Sequence, residues 1–120
     1  MINQISSKEI IEYIKKNPKC VLLDVRTNEE WNQDGKPNSN NIGLKNYFLS
    51  IQFGKERIFN ENFLHEFKNL NIQKDHEILT ICRSGARSQV AAEMIDREGY
   101  NCSNISDGFL GWKNNQLPTK

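Results

Sequence analysis

Two short and almost uninterrupted apolar runs limit the folds open to this chain more than any other feature. They are Cys20-Val21-Leu22-Leu23-Asp24-Val25 and Glu77-Ile78-Leu79-Thr80-Ile81-Cys82. Such runs are typical of strands buried on both faces, as central strands of a parallel sheet are. Because helical patterns alternate with them, we predict an α/β fold: a small, mostly parallel central sheet with helices on both faces.

Five helices and two further strands are predicted around these runs. Two helix starts are marked by capping boxes, in which a Ser or Thr is followed three residues later by Glu; these are Ser6 with Glu9 and Thr27 with Glu30. Apolar spacing predicts longer helices over residues 61–70 and 88–98, with a short closing helix over 110–114. Strands are expected over residues 47–51 and 101–105, and a polar loop over 34–41.

Length and charge restrict the class of protein. The 120 residues suit one domain spanning 1–120, and a formal net charge of +1 gives no basic face for nucleic acid. No apolar run is long enough to cross a membrane, and the first residues do not resemble a secretory signal, so a cytoplasmic location is expected. Three widely spaced cysteines fit neither a disulfide framework nor a zinc site, so no metal is expected.

Both central strands are followed by residues that carry chemistry. The first strand ends in Asp24-Val25-Arg26 and the second in Cys82-Arg83-Ser84. In parallel sheets ligands sit beyond the carboxyl ends of the strands. We therefore expect both groups at the same edge of the sheet.

The segment Cys82-Arg83-Ser84-Gly85-Ala86-Arg87-Ser88, here called the cysteine loop, joins a strand to a helix. A tight turn of this kind lets backbone N–H groups converge, and the following helix adds a partial positive charge. Gly85 permits the bend, and Arg83 and Arg87 are the only charged residues between 78 and 92. This setting favours the nucleophilic thiolate of Cys82. The alternative is an inert cysteine buried at a strand end.

Three motifs resemble those of the rhodanese-type sulfurtransferases. The cysteine loop is similar to the active-site loop of that family. Asp24-Val25-Arg26, followed by Glu30-Trp31, resembles a second family element. Asp107-Gly108-Phe109, Gly111-Trp112 and Leu117-Pro118 resemble the closing element.

The resemblance implies sulfur transfer through Cys82. Its thiolate would take the outer sulfur of a small anionic donor such as thiosulfate, and a thiol or protein acceptor would remove it from the resulting persulfide. The loop residues Arg83, Ser84, Gly85, Ala86, Arg87 and Ser88 would bind the substrate, with both arginine side chains attracting the donor. No cofactor is implied.

Two alternatives stay open. Phosphatases and arsenate reductases of this fold have one more residue between cysteine and arginine than the four present here. A sulfur-carrier or binding module serving a protein partner is the other reading. The family's Gly-His-Ile-Pro-Gly-Ala stretch is replaced by residues 34–42, which puts inferences about donor and acceptor preference in doubt.

Several other residues could contribute either to the site or only to the fold. Asp24 and Arg26 would support the cysteine loop, or Arg26 would form an ion pair with Glu30 that only stabilises the fold. Trp31 and Trp112 are expected to be packing residues, with a pocket wall as the alternative for Trp112. The remaining side chains have simpler expectations: exposure for His65 and His76, and burial for Cys20 and Cys102.

Overall fold

The structure, a computed structural model, describes residues 1–120 and contains seven strands. Five form one sheet in the order β1-β7-β6-β2-β3, and every pairing within it is parallel. The other two form a separate antiparallel hairpin. The strands are β1 (Asn3–Ile5), β2 (Cys20–Asp24), β3 (Lys45–Phe48), β4 (Gln52–Phe53), β5 (Ile58–Phe59), β6 (Glu77–Ile81) and β7 (Asn101–Ile105).

Five helices accompany the sheet, and none is long and apolar enough to cross a membrane. Thr27 caps the second helix: its hydroxyl accepts the Glu30 N–H at 3.2 Å, while the Glu30 carboxylate accepts the Thr27 N–H. The capping box at Ser6 opens a 3-10 turn that leads into the first helix. The helices are α1 (Ile10–Lys16), α2 (Asn28–Asp34), α3 (Phe63–Asn69), α4 (Ala86–Asp96) and α5 (Gly108–Asn114).

The sheet divides the core into two apolar clusters. Because alternate strand residues point to opposite faces, Val21 and Leu23 enter one cluster and Leu22 the other. The first cluster includes residues of α3 and α4, such as Phe67. The second includes residues of α1 and α5, such as Trp112. The predicted fold class, with helices on both faces of a parallel sheet, is confirmed.

Several boundaries differ from the predictions. The edge strand β1 was not predicted, because three residues are too few to show a periodic pattern. The strand expected over 47–51 lies at Lys45–Phe48, and the hairpin β4–β5 follows it. Helix α4 begins at Ala86, inside the cysteine loop, so Arg87 and Ser88 are helical. A 3-10 turn over Ser39–Ile42 overlaps the end of the loop predicted over residues 34–41.

Candidate active site

Cys82 comes directly after β6, where the chain turns into α4. Its side chain is buried, with 1% of the residue exposed. The turn requires Gly85, whose φ is +110°, in the region that favours glycine. A Cβ on Gly85 would also overlap the carbonyl oxygen of Ser106. The loop can therefore close against the end of β7 only with glycine at this position.

Two donors from the start of α4 reach the Cys82 sulfur. The backbone N–H of Gly85 donates to Sγ at 3.1 Å, and the Ser88 hydroxyl lies 3.2 Å from it. The N–H groups of a first helical turn have no partner within the helix, and they carry partial positive charge. The sulfur thus lies where negative charge is stabilised.

The carbonyl groups of the loop are engaged by α5. Phe109 N–H donates to the Cys82 carbonyl at 2.8 Å, and Leu110 N–H donates to the Arg83 carbonyl at 3.1 Å. This contact depends on Gly108, since a Cβ there would overlap both carbonyl groups. Helix α5 thereby fixes the backbone of the cysteine loop from the side opposite α4.

The two loop arginines are placed differently. Arg87 is 9% exposed and forms two parallel hydrogen bonds with the Glu30 carboxylate, at 2.7 and 2.8 Å. Arg83 is exposed and forms no ion pair. Only the Arg83 side chain is therefore free of an acidic partner, whereas both arginines were expected to face the donor.

The Glu30–Arg87 pair is electrostatically strong. Burial alone would raise the pKa of the Glu30 carboxyl, but hydrogen bonds from Arg87 and Thr27 outweigh burial and lower the pKa to about 2. The hydrogen bond to Glu30 likewise raises the pKa of Arg87. Both groups are charged at neutral pH, and the pair ties α2 to the cysteine loop.

The expected ion pair between Arg26 and Glu30 does not form. Instead Arg26 binds Asp24 through Nε and Nη2, at 2.8 to 3.1 Å, with both residues fully buried. The Arg26 guanidinium also lies 4.2 Å from the centre of the Phe109 ring. Because Phe109 donates to the Cys82 carbonyl, Asp24 and Arg26 contact the cysteine loop indirectly, through α5.

Asn104 is a site residue that sequence reasoning missed. It is 2% exposed on β7, its Oδ1 lies 2.6 Å from the Ser88 hydroxyl, and its Nδ2 donates to the Gly85 carbonyl at 3.1 Å. The same Nδ2 donates to Gln4 Oε1 at 2.9 Å, which links β1 to the site. A usable signal was the polar pair Ser103-Asn104 inside the strand predicted over residues 101–105.

The tryptophans and histidines contribute no reactive group. Trp112 is fully buried and its Nε1 donates to the Pro118 carbonyl at 2.8 Å, which confirms it as a packing residue. Trp31 packs edge-on against Phe48. His65 is exposed, and His76 lies 2.9 Å from Asp75.

The other two cysteines are buried and free, as expected. Burial, followed by the nearby Glu77 carboxylate, raises the pKa of Cys20 to about 12. Burial is also the main reason that the pKa of Cys102 rises to about 12. Both thiols are therefore protonated at neutral pH, and neither hydrogen-bonds the cysteine loop.

Residues 34–42, which depart from the resembled motif, are fixed by the end of the chain. Asn38 N–H donates to the Pro118 carbonyl at 2.8 Å, and Lys36 and Lys120 exchange backbone hydrogen bonds at 2.8 and 2.9 Å. The Gly35 carbonyl accepts from Arg26 Nη2 at 3.0 Å. The segment is thus held in one conformation by hydrogen bonds rather than being a free loop.

Comparison with known proteins identifies the family of this chain. Residues 6–115 match the model of the rhodanese-like domain. The chain belongs to the rhodanese-like family. An uncharacterised protein of Rickettsia prowazekii is 42% identical to this chain, with 98% of this chain and 97% of the relative covered. Thiosulfate sulfurtransferase 18 of Arabidopsis thaliana is 34% identical, with 80% and 68% covered.

A solved structure also aligns with nearly the whole chain. The crystal structure of an M. tuberculosis protein superimposes with a TM-score of 0.84 at 28% identity, covering 98% of this chain and 96% of that one. The rhodanese-like resemblance inferred from the three motifs is confirmed.

Proposed function

We propose that this rhodanese-like chain is a sulfurtransferase in which Cys82 carries the sulfur as a persulfide. The donor would be a small anionic sulfur compound such as thiosulfate, and the acceptor a thiol, either free or on a protein. One observation carries the proposal: the Gly85 N–H and the Ser88 hydroxyl lie at 3.1 and 3.2 Å from the Cys82 sulfur. A family relative named as a thiosulfate sulfurtransferase supports it.

In the first step the Cys82 thiolate attacks the outer sulfur of thiosulfate. A bond forms between Sγ and that sulfur, the S–S bond of thiosulfate breaks, and sulfite leaves with the electron pair. The negative charge passes from Sγ to the outer sulfur of the new persulfide. N–H donors at the start of α4 would stabilise this charge without reorganising.

In the second step an acceptor thiolate attacks the outer sulfur of the persulfide. The new S–S bond belongs to the acceptor, and Cys82 leaves as thiolate with the electron pair of the broken bond. The enzyme returns to its starting state with no external oxidant or reductant. Neither step requires a general base if both sulfurs react as thiolates.

The residues of the cysteine loop and its neighbours would have different roles in the reaction. Arg83 would attract the anionic donor, because it is exposed and has no acidic partner. Arg87, bound to Glu30, would position the start of α4. Ser84 and Ala86 are exposed and would contribute their backbone. Asp24 and Arg26 would hold the loop through Phe109.

Intact-protein mass spectrometry after thiosulfate treatment tests this function, with Cys82→Ser as the comparison. We expect wild type to gain the mass of one sulfur atom and to lose it on addition of dithiothreitol or cyanide. The Cys82→Ser protein should gain nothing, and a Cys102→Ser control should behave as wild type. A folded, reduced protein that gains no sulfur contradicts thiosulfate as the donor.

The same preparation separates the two alternatives. Hydrolysis of an aryl phosphate without persulfide formation would assign the loop to phosphoryl chemistry. A persulfide that forms but transfers to small thiols far more slowly than to a protein acceptor would indicate a sulfur carrier.

A further inference from the structure

A polar groove lies beside the cysteine loop, between α2 and the β4–β5 hairpin. Its volume is about 400 Å³, within the range of small-molecule sites. No apolar residue lines it. The lining residues are Thr27, Glu29, Glu30, Gln33, Asp34, Gly54, Lys55, Arg57 and Arg83.

Most of the charged groups in this α2–hairpin groove lack an ionic partner. Glu30 is bound by Arg87, but none of the other charged lining residues takes part in an ion pair. Three of them are cations and two are carboxylates; they are Lys55, Arg57, Arg83, Glu29 and Asp34. Unpaired charges of both signs therefore line one small volume that adjoins the cysteine loop at Arg83.

The two signs come from different parts of the fold. Both carboxylates lie on α2, which also carries Glu30. The cations lie on the cysteine loop and on the turn that joins β4 to β5. Arg57 has a φ of +54°, the left-handed region that is unusual for a residue with a side chain. The groove thus has an anionic wall and a cationic wall.

We infer that this groove binds the acceptor as a small thiol carrying both carboxylate and ammonium groups, such as an amino-acid thiol or a short thiol peptide. The inference rests on the proposed sulfur transfer. The acceptor carboxylate would bind Lys55, Arg57 and Arg83, and its ammonium would bind the α2 carboxylates. Its thiolate then takes the outer sulfur of the Cys82 persulfide, and Cys82 leaves as thiolate.

Acceptor kinetics on the persulfidated full chain test the inference. The acceptors are glutathione and cysteine, which carry both charges, and 2-mercaptoethanol, which carries neither, compared at equal thiolate concentration. We expect the charged thiols to have the lower KM. The double variant Lys55→Gln/Arg57→Gln should raise the KM for glutathione roughly tenfold and leave that for 2-mercaptoethanol unchanged.

A matched variant controls for total charge. Lys15→Gln/Lys16→Gln removes two exposed cations from α1, away from the groove, and should not change the KM for glutathione. Equal KM values for charged and neutral thiols in wild type would overturn the groove inference while leaving sulfur transfer intact. Transfer to a protein acceptor alone would also overturn it.

Binding of an unreactive acceptor analogue to the groove can be measured without turnover. S-methylglutathione, which cannot accept sulfur, is titrated calorimetrically into the Cys82→Ser protein. Millimolar or tighter binding that weakens in the Lys55→Gln/Arg57→Gln background supports the groove even if thiosulfate proves not to be the donor. Absence of binding refutes the groove whatever the donor is.

Discussion

Glu30 and Arg87 form a two-pronged ion pair that joins helix α2 to the first turn of α4, with N–O distances of 2.7 and 2.8 Å. The pair makes no hydrogen bond to the Cys82 sulfur, but it holds the start of the helix whose N-cap residue, Gly85, donates its N–H to that sulfur. Planar, paired hydrogen bonds of this kind fix orientation as well as distance. Glu30 is therefore a positioning residue for the cysteine loop.

Replacing Glu30 by glutamine tests this role. Glu30→Gln leaves the Arg87 cation without its carboxylate, and it should lower the free energy of unfolding by about 2 kcal/mol. The rate of persulfide formation should fall about tenfold. Urea unfolding and thiosulfate kinetics measure the two effects, with the exposed Glu61→Gln as a control that should change neither. A variant as fast and as stable as wild type would show that the pair does not position the loop.

The same pair predicts a dependence of stability on pH. Its carboxyl pKa is lowered from 4.5 to about 2, so the stabilisation is complete above the unfolded pKa and is lost as pH falls towards the folded pKa. The difference in unfolding free energy between wild type and Glu30→Gln should thus be constant above about pH 5 and shrink below pH 4.5. Urea titrations from pH 7 to 3 measure it. A difference that does not change with pH would contradict the assignment.

Ser88 offers a second test of the sulfur environment. Its hydroxyl lies 3.2 Å from Cys82 Sγ, 3.2 Å from the Gly85 carbonyl oxygen and 2.6 Å from Asn104 Oδ1, and its single proton can be donated to only one of these acceptors at a time. Ser88→Ala removes a donor that the charged sulfur would use, and we expect persulfide formation to slow about tenfold. Ser84→Ala is the matched control, because Ser84 is an exposed loop residue whose hydroxyl has no partner. Equal rates in the two variants would exclude the Ser88 hydroxyl from the reaction.

Gly108 should tolerate no side chain. Gly108→Ala would place a Cβ against the carbonyl groups of Cys82 and Arg83 at a φ of +59°. We expect the free energy of unfolding to fall by about 3 kcal/mol. Gly43→Ala measures the cost of the left-handed backbone conformation alone, since Gly43 has a φ of +77° and no atom lies within 4 Å of the added carbon. It should lose only about 1 kcal/mol. Thermal unfolding compares the two, and similar losses would mean that the α5 contact is not tight.

Thiol reactivity should distinguish Cys82 from the other cysteines. Burial raises the pKa of both Cys20 and Cys102 to about 12, so neither thiol should be alkylated in the native protein at pH 8. Mass spectrometry after iodoacetamide treatment should show one adduct in native wild type and none in native Cys82→Ser. Three adducts should appear once the wild-type chain is unfolded. Native labelling of Cys102 would contradict the raised pKa of its thiol.

The sequence predicted the parts of the fold that local pattern determines. The runs that became β2 and β6 are buried on both faces, and the spacing in residues 88–98 corresponds to most of α4. β1 and the β4–β5 hairpin were missed because two or three residues carry too little periodicity. The existence of these elements depends on tertiary pairing.

The site was predictable where one segment contains it. Cys82 and its loop are contiguous in the sequence, so their placement followed from the strand and helix around them. One of the two interpretations of Arg26, an ion pair with Glu30, was wrong, because Arg26 is near Glu30 in sequence whereas Arg87 is near it only in the folded chain. Asn104 reaches the loop across the sheet, a contact that no spacing in the sequence encodes.

The hydrogen bonds between residues 36–38 and 118–120 also bear on how the site is made in the cell. The two sides of this contact are about eighty residues apart, which at ribosomal speed corresponds to roughly 4 to 16 seconds of synthesis. During that interval the backbone groups of Lys36 and Asn38 have no hydrogen-bond partners from the end of the chain. A nascent chain halted before Pro118 would contain all of β6 and Cys82, whereas residues 36–38 would still lack their backbone partners.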